Sequence, residues 1–113
     1  MNPVRLILYP SSDVPKAKSF FSKALGGEPY VDTPYYVGFK AGDIEVGLVQ
    51  KAMHKPQAAL AYVDVDDIHG ALETLLAAGA AKVQDVTDVA NGLLVASVID
   101  PEGTPIGLRQ FPS

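Results

Sequence analysis

The stretch Ala59-Leu60-Ala61-Tyr62-Val63-Asp64-Val65-Asp66-Asp67-Ile68 decides the fold. Residues 59–65 are a β-prone run, and Asp66 or Asp67 then offers a carboxylate to the free amides of a helix that continues to Ala78. Gly79 supplies the stop. A strand feeding directly into a capped amphipathic helix is half of a β-α unit, and the same order stands 54 residues earlier. Sliding by 54 places Leu6 on Leu60, Asp13 on Asp67, Val14 on Ile68, Ala17 on Ala71, Phe21 on Leu75 and Ala24 on Ala78.

Outward from these two units, the first half reads as a strand over 4–9, closed by Pro10. A helix of about three turns follows, with Ser11, Ser12 or Asp13 as cap, Pro15 in its first turn and Gly26-Gly27 as its stop. Short strands are predicted over 28–31, 35–40 and 44–50. Residues 51–57 are polar, contain Pro56 and form the linker. After the second helix, strands are predicted over 82–86, 93–99 and 104–111, with turn chemistry at Asn91-Gly92 and Asp100-Pro101-Glu102-Gly103. Sliding by 62 places Ile44-Glu45-Val46 on Ile106-Gly107-Leu108, so the second half carries about eight extra residues in its middle strands or their turn. The sequence therefore reads as one α+β domain over 1–113, built from two β-α-β-β-β modules, about 1–50 and 58–113.

Composition narrows the function classes. The 113 residues are 48% hydrophobic and 19% charged, enough apolar material for one core and too little length for two. Nine basic against thirteen acidic residues leave a net charge of −4, which repels phosphate backbones and anionic lipid, so neither nucleic acid nor a membrane is expected as partner. The absence of cysteine removes thiolate metal sites and thiol nucleophiles, and it fits a reducing cytoplasm. No run reads as a signal peptide or a membrane span, so a cytoplasmic, soluble chain is expected. Gly42, Gly47 and Gly70 form no phosphate-binding pattern, and no serine sits in a nucleophile elbow.

Ser12-Asp13 opening one helix, Phe20-Phe21 to Gly26-Gly27 closing it, Val65-Asp66-Asp67-Ile68 opening the other, and Ile99-Asp100-Pro101-Glu102-Gly103 before the last strand occur here in a specific order. Together they resemble the vicinal oxygen chelate superfamily, the fold of glyoxalases, bleomycin-resistance proteins and extradiol dioxygenases. The resemblance covers essentially the whole chain. It implies a curved eight-stranded mixed sheet around a cavity with the helices outside, and closure of the cavity by pairing within or between chains. A homodimer is expected on that basis.

The resemblance also locates four metal-ligand positions, histidines on the first strand of each module and carboxylates on the last. Counting back seven residues from Asp13 and Asp67 gives Leu6 and Leu60, while the carboxylate positions hold Glu45 and Gly107. A transition metal wants three or four protein ligands, and one carboxylate is left. No metal and no cofactor are expected.

Strand alternation puts Leu6, Leu8, Glu45, Gly47, Leu60, Tyr62, Gly107, Arg109 and Phe111 on the cavity side, and Ile7, Ile44, Val46, Ala61, Val63, Ile106 and Leu108 under the helices. The candidate ligand-binding residues are therefore Leu6, Leu8, Tyr36, Glu45, Leu60, Tyr62, Gly107 and Arg109. Glu45 is also the candidate catalytic base. Arg109 is placed to face Glu45 or bind a ligand acid, and Tyr36 or Tyr62 to stack a planar ligand. If the cavity is dry and Arg109 does not pair with Glu45, Glu45→Gln should fold at least as stably as the parent. His54 and His69 read as solvated.

Three functions follow. The first is a metal-independent small-molecule binding protein that sequesters an aromatic or apolar metabolite or antibiotic. The second is a lyase or isomerase of the same fold with Glu45 as general base. The third is an interaction domain with a vestigial cavity.

Overall fold

The computed structural model describes all 113 residues. Strand β1 (Val4–Ser11) leads into helix α1 (Val14–Leu25), followed by β2 (Val31–Asp32), β3 (Val37–Ala41) and β4 (Ile44–Gln50). A short 3-10 turn (Lys51–Met53) opens the linker. The second module runs β5 (Leu60–Asp64), α2 (Ile68–Ala77), β6 (Ala81–Ala90), β7 (Leu93–Ile99) and β8 (Pro105–Gln110). One eight-stranded mixed sheet results, in the order β2-β3-β4-β1-β5-β8-β7-β6, with β1–β4 and β5–β8 parallel. The modules join inside the chain through the antiparallel β1–β5 pair.

Both helix starts are fixed by aspartates. Asp13 accepts the Lys16 amide at 3.1 Å and Asp67 the Gly70 amide at 3.1 Å, each satisfying a donor that the first helical turn leaves free. Gly26, at φ 76°, ends α1 in the left-handed conformation and returns its amide to Ser22. The apolar stripe of α1, Val14, Ala17 and Phe21, packs on Val37, Phe39, Val46 and Leu48. Ile68 and Leu72 of α2 are buried against Ala96, Val98 and Leu108. Both helices therefore cover one face of the sheet, and the apolar cluster on the other face, Leu6, Leu8, Leu60 and Tyr62, contains no helix residue.

The middle strands depart from their expected bounds. Thr33 accepts the amides of Tyr35 and Tyr36 on its hydroxyl, holding 33–36 as a turn, so β3 begins at Val37 and β2 shrinks to two residues. β6 is ten residues long because the two-residue turn at Asn91 (φ 51°) and Gly92 (φ 89°) lets it pair with β7 up to Ala90↔Leu93. Register also corrects the size of the insertion. Leu6 stands opposite Glu45, 39 positions on, whereas Tyr62 stands opposite Gly107, 45 positions on. Six residues, not about eight, are added between first and last strands. The other two are an offset in the β-α connections, since Leu6 lies seven residues before cap Asp13 whereas its counterpart Tyr62 lies only five before Asp67.

Candidate functional site

Register fixes a lateral row on the helix-free face. Lys40 pairs with Glu45, Glu45 with Leu6, Leu6 with Tyr62, Tyr62 with Gly107, Gly107 with Ser97 and Ser97 with Gln84. Residues directly opposite one another share a face. The row is thus polar at both ends and apolar in the middle. Register also makes Tyr62, rather than Leu60, the counterpart of Leu6.

At the first end, Glu45 accepts the Tyr30 hydroxyl on Oε1 and the Tyr36 hydroxyl on Oε2, while Lys40 Nζ lies 3.5 Å from Oε1. The same ammonium sits 4.8 Å from the centre of the Tyr30 ring. The Tyr36 ring can reach this position because two glycines lie beneath it. A Cβ on Gly47 would come within 2.6 Å of the Tyr36 hydroxyl, and one on Gly38 within 2.9 Å of its Cε2. Burial first, and the hydrogen bond to Glu45 second, push the Tyr30 phenol up to about 12 and hold the Tyr36 phenol higher still. Arg109 acts on both phenols in the opposite sense.

Arg109 does not face Glu45 as a partner. Its Nε and Nη2 donate to Asp64 Oδ1 and Oδ2 at 2.6 and 3.0 Å, a bidentate pair one β-strand away, and its guanidinium stacks 4.6 Å from the Phe111 ring centre. Arg109 is buried and Asp64 nearly so.

The expected wall residues are a packed floor instead of an open lining. Leu6, Leu8, Leu60 and Tyr62 are 8%, 5%, 3% and 2% exposed. Tyr36 and Tyr62 lie flat on the sheet and fill the space above it. Gly107 makes this possible, since a Cβ there would overlap the Tyr62 ring. Burial raises the Tyr62 phenol to about 12. The same geometry argues against Glu45→Gln folding as stably as the parent: both carboxylate oxygens accept, and an amide nitrogen would meet a hydroxyl donor. His54 is half-buried rather than solvated. Its Nδ1 lies 3.0 Å from the Pro56 carbonyl and its Nε2 3.5 Å from the Tyr62 hydroxyl. His69 is exposed.

Tyr30, Lys40 and Asp64 escaped the sequence reading. Two of them share the alternation of a named residue, Lys40 with Tyr36 and Asp64 with Tyr62, so period-2 counting could have found those two. Tyr30 lies outside any ladder and is brought in by its amide bond to the Gly38 carbonyl.

The metal implied by the resemblance does not fit these residues. Leu6 and Gly107 carry no donor, Tyr62 at the fourth position offers only a phenol that burial keeps protonated, the Glu45 oxygens are engaged by phenols, and no three His, Cys, Asp or Glu side chains converge anywhere in the chain. A cavity of about 970 Å³ lies elsewhere, at the amino end of α1 between the Lys18–Asp32 ion pair and Gln50, Lys51 and Gln57. None of the expected site residues lines it.

Solved structures share this architecture. A hypothetical protein from Bacillus halodurans superposes with a TM-score of 0.76 at 14% identity, covering 99% of this chain and 96% of that one. A Legionella pneumophila protein described as an NAD-dependent benzaldehyde dehydrogenase gives 0.75 at 15% identity, covering 95% and 98%. Methylmalonyl-CoA epimerase from Mycobacterium tuberculosis gives 0.68 at 12% identity, covering 97% and 88%. These likenesses establish the fold alone. No curated protein matches in sequence. The sequence profile of the Glyoxalase/Bleomycin resistance protein/Dioxygenase superfamily matches residues 4–108, and the chain belongs to that superfamily.

Proposed function

We propose that this chain is a metal-independent binding protein of the glyoxalase/bleomycin-resistance type that takes an aromatic or apolar metabolite or antibiotic on its helix-free face. The observation that carries this reading is the Glu45 station: a carboxylate held on both oxygens by Tyr30 and Tyr36, flanked by Lys40, at the edge of an apolar floor. Such a group is preorganised to grip the polar end of a ligand whose body lies on the tyrosines. Tyr30 is half-exposed, so an entering donor can take its place on Oε1.

Thermal-shift screening against natural products, quinones and 2-oxo acids tests the reading, because a ligand at 100 times its Kd raises stability by roughly 2.7 kcal/mol. Hits whose affinity falls at least about tenfold in Glu45→Gln support it, the loss expected for a charge-assisted hydrogen bond. Hits indifferent to Glu45 overturn it. Absence of any hit favours an interaction domain whose face is closed by its own tyrosines. The enzymatic alternative, a lyase or isomerase with Glu45 as base, requires a phenol to leave the carboxylate before a substrate proton can arrive. Turnover abolished by Glu45→Gln would favour it.

The working state proposed is a cytoplasmic homodimer. Exposed Val4, Tyr30 and Phe111 around the face are apolar area a second copy could cover, and the lack of cysteine suits a reducing compartment. Sedimentation at tens of micromolar checks the dimer.

A further inference from the structure

Strands β1 and β4 run parallel and stop level with each other, Ser11 opposite Gln50. Both residues belong to the helix-covered face, since they stand two positions beyond Tyr9 and Leu48, which pack with the apolar stripe of α1. The cavity of about 970 Å³ opens at these strand ends, between the first turns of α1, the turn at Thr33-Pro34 and the start of the linker. Crevices outside the carboxyl ends of parallel strands are where sheets flanked by helices hold their ligands, and sites for small molecules span about 300–1,000 Å³. The sheet itself separates this cavity from Glu45, which shares the opposite face with Leu6.

The polar groups around the cavity are only half used by the fold. Gln50 Nε2 donates to the Pro34 carbonyl and Gln57 Nε2 to the Lys51 carbonyl, both at 3.0 Å, which fixes the two amides and leaves each Oε1 to accept. Lys18 Nζ donates to Asp32 Oδ2 at 2.7 Å, leaving Oδ1 to accept and further ammonium protons to give. Lys51 has no carboxylate within ion-pair distance. The charged side chains of the lining, Asp13 and Asp32 against Lys18 and Lys51, cancel, so no net charge draws in a phosphate or a polyamine. Donors and acceptors thus stand interspersed around the apolar surface of Val14 and Pro34. Their complement is a molecule whose polar groups each donate and accept, and that is the hydroxyl. We propose that this cavity is a second binding site, for a neutral polyhydroxylated ring of the saccharide class. The ring's hydroxyls donate to Asp32 Oδ1 and the two glutamine oxygens and accept from Lys51, while its C–H face rests on Val14 and Pro34. The site uses no residue of the helix-free face and stands independently of the Glu45 reading.

Titration of the full chain with maltose, followed by backbone amide chemical shifts, tests the proposal, with inorganic phosphate and spermidine as charged comparisons. Saturable shifts from maltose are expected at Ser12, Thr33, Gln50 and Gln57, with Leu6, Glu45 and Gly107 unmoved. Lys51→Met and Asp32→Asn should each weaken maltose binding by about tenfold, the lower end for a hydrogen bond to a charged group. Lys51→Met should melt with the parent, because its ammonium holds no carboxylate in the fold. It carries the test alone if Asp32→Asn, which weakens the pair with Lys18, loosens α1. Saturation by phosphate or spermidine and not by maltose would overturn the proposal. So would maltose shifts confined to Leu6 and Glu45, absence of saturation, or unchanged affinity in Lys51→Met. Because the two sites lie on opposite faces, failure of either leaves the other's expectations as they stand.

Discussion

Tyr62 lies on Gly107 in the second module as Tyr36 lies on Gly47 in the first, each ring occupying the volume that a Cβ on the glycine would need. This contact converts a face that could have been an open basin into a packed one. Gly107→Ala is therefore expected to destabilise by about 1–3 kcal/mol through overpacking. Chemical denaturation of Gly107→Ala, Tyr62→Ala and the double variant checks it. The double variant should lose less than the sum of the two, since the collision exists only when both groups are present.

Glu45→Gln is expected to cost about 1–3 kcal/mol, the penalty for leaving a largely buried donor unmatched. Tyr36 and Tyr30 both donate to the carboxylate, and glutamine offers one accepting atom in place of two. Tyr36→Phe in the Glu45→Gln background should return part of the loss. A Glu45→Gln chain that unfolds at the parental midpoint would show that the phenols do not hold the carboxylate.

How far the sequence could be read follows from which interactions are local. Asp13 and Asp67 were legible as caps because a cap acts three residues along its own chain. The helix-covered core, with Val46 and Leu108 inward, followed from strand alternation. Tyr30 was not legible, because its reach to Glu45 depends on the 33–36 turn and on Gly38, neither of which leaves a periodic trace. Nor was the filling of the face. Leu6 and Leu60 were correctly placed on it, but whether they line a cavity or a floor depends on where the rings of Tyr36 and Tyr62 lie. Alternation gives the face of a residue and says nothing about what lies above it.

The Asp64–Arg109 pair should behave as a buried ion pair. Asp64→Ala leaves a guanidinium that is 8% exposed without its carboxylate, and a loss of about 3 kcal/mol or more is expected. Replacing both, Asp64→Leu with Arg109→Met, should recover most of it, since the desolvation cost of both charges is then gone. Urea midpoints of the three variants decide this. If the double variant is as unstable as Asp64→Ala, the pair's value lies in its stacking on Phe111 and not in charge compensation.

Alkaline pH should unfold the chain through three of its five tyrosines. Tyr30 and Tyr62 are raised to about 12 and Tyr36 further, all first by burial, whereas an unfolded chain ionises its phenols near 10. Below pH ~10 both states keep these protons, so the contribution of the three phenols is fully present. Between about 10 and 12 the unfolded chain releases protons that the folded chain retains, and stability must fall as pH rises through that window. The urea midpoint should therefore decline steeply above pH ~10, with tyrosinate absorbance from these residues appearing together with loss of the fold and not ahead of it. Tyr30→Phe and Tyr62→Phe should each make the decline shallower by up to one proton's worth. Tyrosinate formation by all five phenols at pH ~10 with the fold intact would contradict the burial of Tyr36 and Tyr62 over their glycines.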